Sequence, residues 1–184
     1  MTKTELVDKL NQDLADELGA IPHASCSIVS LGYRRDQIAH PLDGFGFVVP
    51  RIEKRKILSA SFSSVKFPGR APQGYELIRV FVGGACQSEL VQLPDKPLRA
   101  LVTKELEQLL SIRGQPVFDH IHRWPPVMPQ YHVGHCELVE QIHAKTAKIS
   151  GLELAGNWDA GIGIPHCIHS GQQAAEQIVQ AVRS

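Results

Sequence analysis

The chain has 184 residues, enough to bury one hydrophobic core or one and a part. Hydrophobic residues make up 43% and charged residues 21%, the balance of an ordinary globular protein rather than a disordered or fibrous one. Lys plus Arg and Asp plus Glu both number 19, so no net field favours nucleic acid or an anionic surface, and no nucleic-acid partner is expected. From the amino terminus, Leu6, Val7, Leu10, Leu14 and Leu18 fall at helical spacing, and Gly19 followed by Pro22 predicts the stop. Residues 25–33 alternate small or polar with apolar side chains, as a strand does. A second short strand is expected at 46–50. A third is expected at 57–67, with Ser59, Ser61 and Ser63 on one face and Leu58, Ala60 and Phe62 on the other. Turn chemistry at 68–74 precedes a fourth strand at 75–82, ended by Gly83-Gly84. Pro94 and Pro97 open a helix carrying Leu98, Leu101, Val102, Leu106, Leu109 and Leu110, with Gly114 closing it. Residues 116–124 read as extended, and Leu138, Val139, Ile142 and Ala147 as a helix. A short strand at 151–156 and a last helix at 168–182 follow, with Ala174, Ala175, Ile178, Val179 and Val182 as the expected buried stripe. Strands in succession joined by turns, then helices, give an α+β fold: an antiparallel sheet covered by helices.

The longest apolar run, residues 44–50, is far too short to span a bilayer, and residues 1–6 show no secretory signal pattern. Cys26, Cys86, Cys136 and Cys167 are widely spaced, which favours reduced thiols and a cytoplasmic location. His132-x-x-His135-Cys136 and His166-Cys167-x-His169 have spacings compatible with zinc, but neither has a matching second pair, and no metal is expected. Cys167 beside two histidines reads either as an activated thiol or as a buried cysteine in the first turn of a helix, the second being favoured. The basic run 51–56 reads as a solvated turn between strands rather than a phosphate site.

The most informative local feature is residues 154–165, Leu-Ala-Gly-Asn-Trp-Asp-Ala-Gly-Ile-Gly-Ile-Pro, ahead of a helix. A glycine-bearing loop that feeds a helix start presents outward N–H groups and the positive end of the helix dipole, which suits a negatively charged ligand edge. Glycines at 161 and 163 let a flat group approach the main chain. Such units also serve as plain connections.

Further residues stand in a recognisable order. Arg123-Trp124-x-x-x-Met128-Pro129-Gln130-Tyr131-x-x-Gly134-His135 precedes Leu154-Ala155-Gly156, and Gly161-x-Gly163-Ile164-Pro165-x-Cys167-Ile168-x-Ser170-Gly171-x-x-Ala174-Ala175 follows. Upstream lie Gly44-Phe45-Gly46-Phe47-Val48-Val49-Pro50 and Phe81-Val82-Gly83-Gly84. This ensemble resembles the carboxy-terminal portion of the protoporphyrinogen oxidases, within the amine-oxidase-like flavoprotein superfamily. The resemblance covers nearly the whole chain and is most specific over residues 123–175. It implies that residues 1–122 belong to a substrate-binding domain. Residues 123–184 would complete a flavin domain with its last strand and helix. It implies FAD as cofactor, contacted by Asn157, Ile162, Gly163 and Ile164, with the Ile164 N–H near the electron-rich C2 carbonyl and N1 of the ring. Family members often have a small residue at position 157. Trp124 is implied to wall the ring, and a core tryptophan is the equal alternative. Phe45, Gly46 and Val48, with Ser61 and Phe81 on neighbouring strands, are implied to line the porphyrinogen cavity, against the plainer reading of a sheet core.

The family's Gly-x-Gly-x-x-Gly fingerprint is not in this sequence, nor is the acidic residue that follows it. The expected activity of the complete enzyme is oxidation of protoporphyrinogen IX to protoporphyrin IX with dioxygen, for haem synthesis. Its porphyrinogen substrate and a missing nucleotide-binding half are the expected partners, and the complete enzyme is allowed a peripheral place on a membrane. This chain alone is expected to be inactive, not to retain FAD, and to self-associate. A related coproporphyrinogen oxidase or amine oxidase fragment, or a non-enzymatic porphyrin-binding module, stays open. The amine oxidase option is weakened by Pro129-Gln130-Tyr131, where those enzymes usually carry aromatic side chains facing the flavin.

Overall fold

The computed structural model of the chain describes residues 7, 9 and 11–183; Leu6 and Leu10 of the expected first stripe lie outside these. Helix α1 (Gln12–Ala20) begins at Asn11, whose side-chain oxygen accepts the Leu14 N–H at 3.0 Å. It runs through Gly19 instead of stopping there, because Gly19 lacks the positive φ that ends a helix; extended Ile21, ahead of Pro22, is its cap.

Strands β1 (His23–Arg34), β2 (Gly46–Val48), β3 (Ser59–Phe62), β4 (Tyr75–Gly83) and β5 (Phe118–Pro129) form one sheet in the order β2-β3-β4-β1-β5. The pairs β2/β3, β3/β4 and β4/β1 are antiparallel. The edge position of β5 suits Pro125, Pro126 and Pro129, which have no ladder donor to offer. The third strand is shorter than its sequence pattern. After Phe62 the chain turns into a single helical turn, α2 (Ser63–Lys66). The cause is Ser64, whose hydroxyl accepts the Leu77 N–H at 3.0 Å and donates to the Glu76 carboxylate, fixing the turn against β4.

Helix α3 (Asp95–Leu110) lays Leu98, Val102, Leu106 and Leu110 on one face of the sheet, over Val29, Leu31, Tyr33, Ile78, Val80 and Val82. Each of these is buried, so the sheet follows the two-residue period read from sequence. The helix ends at Ser111, which takes up the left-handed conformation with φ 51, and not at Gly114, whose φ of 82 serves the turn beyond. Edge strand β5 is tied to this layer by Arg123, which donates to the carbonyls of Val91 and Leu93 and pairs with Asp95 at 2.7 Å.

The chain divides into two compact units, one of residues 24–127 and one of residues 1–23 with 128–184. The first holds the sheet and its core. The second has a separate core in which Leu14, Leu18 and Ile21 meet Ile142 of α4 (His135–Thr146) and Trp158. No strand forms at 151–156. Residues 152–155 have no regular secondary structure, though Leu152 and Leu154 still pack on this core. Helix α5 (Ile164–Arg183) starts earlier than expected, and its expected stripe is not buried. Val179 and Val182 are exposed, and the half-buried side is instead Cys167, Ser170, Ala174 and Ile178. Among the described residues no helix is long and apolar enough to cross a membrane.

Candidate functional site

Among the described residues of this unit, the helix side chains of the core pack on one face of the sheet, and none of them lies on the second. The register puts Gly46 opposite Ser61, Val48 opposite Ser59, and Ser59 opposite Phe81, so these side chains share that face. Phe45 and Val48 are 67% and 79% exposed, which removes them from the core of this chain. Gly46 is required by geometry: its φ is +142, and an added Cβ would stand 2.1 Å from the Ala60 carbonyl oxygen. Ser61 offers its hydroxyl to the Phe45 carbonyl at 3.5 Å, which the Phe62 N–H also reaches at 3.0 Å. Phe81 lies under the Arg79 guanidinium, 5.8 Å from ring centre to carbon.

Toward β5 the same face forms a recess of about 450 Å³, lined by Ile28, Ser30, Leu77, Phe118, His120, His122 and Trp124 with Arg70 and Arg79. Trp124 stands edge-on to His122, ring centres 4.7 Å apart. An apolar floor with aromatic and cationic edges is suited to a large flat molecule that carries negative groups.

The glycine loop belongs to the other unit and is held from several sides. The Tyr131 hydroxyl donates to the Asn157 carbonyl at 2.6 Å, and the ring stacks on His135 at 4.1 Å. Burial pushes the Tyr131 phenol above its ordinary value, and the Asp159 carboxylate adds to this. The Gly156 N–H donates to the Ser170 hydroxyl at 2.8 Å, and His143 meets Asp159 at 3.1 Å. Trp158 is buried as the loop's anchor. Gly161 has φ +146, a conformation that strains any other residue, and an added Cβ would also displace the His166 ring, whose Nδ1 would lie 2.5 Å away. Its glycine is thus explained by the loop's own packing. Ile162 and Ile164 are exposed, and Gly163 leads into the first turn of α5, where Ile164 and His166 have N–H groups without intrahelical acceptors.

The structure therefore brings together Gly46, Val48, Ser61 and Phe81 on one bare face, with Trp124 further along it, and Asn157, Ile162, Gly163 and Ile164 on one loop. Sequence reasoning missed the loop's supports: Tyr131, His143, Trp158 and Ser170. Ser170 left a signal, a small polar residue between Cys167 and Ala174 on one helical side. Cys167 is half-buried with its thiol 4.0 Å from the Gly161 carbonyl, less enclosed than expected, and all four cysteines are free. Among the described residues no three His, Cys, Asp or Glu side chains are placed to share a metal.

Residues 1–179 match the family model for flavin containing amine oxidoreductases. The chain belongs to the flavin-containing amine oxidoreductase family. Relatives within it include the coproporphyrinogen III oxidase of Bacillus subtilis, 32% identical over 168 residues, which are 88% of this chain and 36% of that protein. The mitochondrial protoporphyrinogen oxidase of Nicotiana tabacum is 30% identical over 177 residues, 95% of this chain and 35% of that protein. A solved structure from Exiguobacterium sp. 255-15, provisionally assigned as a protoporphyrinogen oxidase, superposes with a TM-score of 0.85 at 27% identity. It covers all of this chain and 40% of its own. The chain thus spans 36% and 35% of these two relatives and 40% of the solved structure, whose architecture it shares.

Proposed function

We propose that this chain is the carboxy-terminal part of an FAD-dependent porphyrinogen oxidase of haem biosynthesis, oxidising protoporphyrinogen IX or its tetracarboxylate relative coproporphyrinogen III with dioxygen. The observation that carries the reading is the bare sheet face, where Phe45, Val48 and Trp124 present exposed apolar and aromatic surface and Phe81 lies half-buried beneath Arg79. That surface suits one wall of a macrocycle site. Both porphyrinogen classes are named among the relatives.

The loop at 156–164 fits a flavin edge. It is pinned by Tyr131, Ser170 and Trp158, and it ends on exposed N–H donors at the start of a long helix, a setting that favours negative charge. Asn157, Ile162, Gly163 and Ile164 are the residues we assign to the ring. Bound there, FAD would supply the hydride acceptor. The chain's own part is to orient the ring and favour charge at its N1 and C2 edge. Residues 152–155 and α5 are read as the end of a Rossmann-like flavin domain, the strand awaiting its neighbours. Ile164, Ile168, Ala175, Val179 and Val182 form an exposed apolar stripe along α5 that the rest of that domain would cover.

The chain alone is then inactive and free of flavin. The test is the absorbance of the purified chain, followed by co-expression with the amino-terminal portion of the Bacillus subtilis coproporphyrinogen III oxidase that it does not span. Stoichiometric flavin on the chain alone overturns the partial-site reading. A flavin-loaded pair that generates no porphyrin fluorescence from either porphyrinogen overturns the substrate class.

A further inference from the structure

We propose that Arg70 and Arg79 form a carboxylate anchor on the bare sheet face, selecting a tetracarboxylate macrocycle of the coproporphyrinogen class over a dicarboxylate one. This rests on the porphyrinogen reading above and names the substrate within it. Five other arginines of the same unit are matched with acids, whereas Arg51 and Arg113 have no ion pair among the described residues and lie outside the recess. Arg34 pairs with Asp36, Arg55 with Glu105, Arg99 with Asp119 and Arg123 with Asp95, all within 3 Å, and Arg35 lies 3.8 Å from Glu76. Arg70 and Arg79 differ. Both line the 450 Å³ recess, and no Asp or Glu lines it with them. Each guanidinium rests over a phenylalanine, Arg70 at 5.6 Å from Phe67 and Arg79 at 5.8 Å from Phe81. Neither guanidinium has a hydrogen bond or ion pair among the described residues.

Two like charges on an apolar face, each resting on an aromatic ring with its N–H donors unpaired among the described residues, are complementary to the carboxylates of a flat ligand. The apolar floor would take the ring and the arginines its acidic periphery. Coproporphyrinogen has four propionates. Protoporphyrinogen replaces two of them with vinyl groups and so offers this edge fewer charges.

The test measures binding of two stable porphyrins to the purified chain by fluorescence titration: coproporphyrin III with four carboxylates and mesoporphyrin IX with two. Coproporphyrin III is expected to bind roughly tenfold more tightly, with the ratio shrinking as salt rises. Arg79→Gln and Arg70→Gln each remove about three- to fivefold of that ratio, and the double variant brings it to about one. Arg79→Lys keeps part of it, and Arg51→Gln, on the turn after β2, leaves it unchanged. Equal affinities, or a ratio that survives in the double variant, overturn the anchor and leave the porphyrinogen reading standing. If neither porphyrin binds, the reading of this face falls and the anchor falls with it.

Discussion

The two faces of one sheet have opposite fates. Val29, Leu31, Ile78, Val80 and Val82 point inward under α3 and are fully buried, while their neighbours Ile28, Ser30, Leu77, Arg79 and Phe81 point outward, away from the helix side chains of the core. Side chains one position apart on the same strand thus answer to different demands. The inner set holds the unit together. The outer set contributes little to folding and is free to be shaped by a ligand. Substitutions should separate along this line, and the predictions run from the largest effect to the smallest.

Leu106→Ala, under the sheet and fully buried, should cost about 2–5 kcal/mol in urea unfolding by loss of transfer energy and opening of a cavity. A cost below ~1 kcal/mol would deny that α3 is the inner layer. Tyr33, also inward, gives a pH test. Burial pushes its phenol up from 10 to about 12, with the Glu107 charge adding to the rise. The neutral form is favoured by folding, so this contribution is intact below pH 10 and is lost as pH rises through about 12. Alkaline unfolding curves should show a fall in stability of about 2–3 kcal/mol in that window, absent in Tyr33→Phe. On the glycine loop, Tyr131→Phe removes one hydrogen bond to Asn157 and should cost about 1 kcal/mol. On the bare face, Val48→Ser and Phe45→Ser should change stability by less than ~0.5 kcal/mol, since both residues are already exposed. Losses above ~2 kcal/mol there would return these residues to the core. Finally, the α5 stripe should make the isolated chain self-associate at high concentration; light scattering from a strict monomer would contradict that.

Much of this division was legible in the residues themselves. Alternation at 25–33 and 75–82 assigns the faces correctly because a strand's period is two and one face is buried. The serine pattern at 59 and 61 read true as well. What sequence could not show depended on partners. Residues 57–67 keep alternating past Phe62, but the Ser64 bonds to Glu76 and Leu77 turn the chain first. Residues 151–156 have a strand's sequence pattern, yet no strand forms there. On α5 two apolar sides coexist, and only packing shows that the Cys167–Ser170–Ala174–Ile178 side is the covered one. In the site, Phe45 and Val48 read as sheet core from the residues alone and as cavity lining only through the family resemblance, because apolarity does not say whether a helix will cover a face. The supports of the glycine loop escaped notice because Tyr131 and His143 act across distances in sequence that no local pattern encodes.

The central claim is that the bare face is a macrocycle wall. A nuclear magnetic resonance titration of the nitrogen-labelled chain with mesoporphyrin IX tests it most directly. The account predicts shifts for Val48, Ser61 and Phe81 and for the Trp124 indole N–H, with Leu98 and Leu106 on α3 unmoved. Shifts confined to other surfaces, or none at saturating porphyrin, would contradict it.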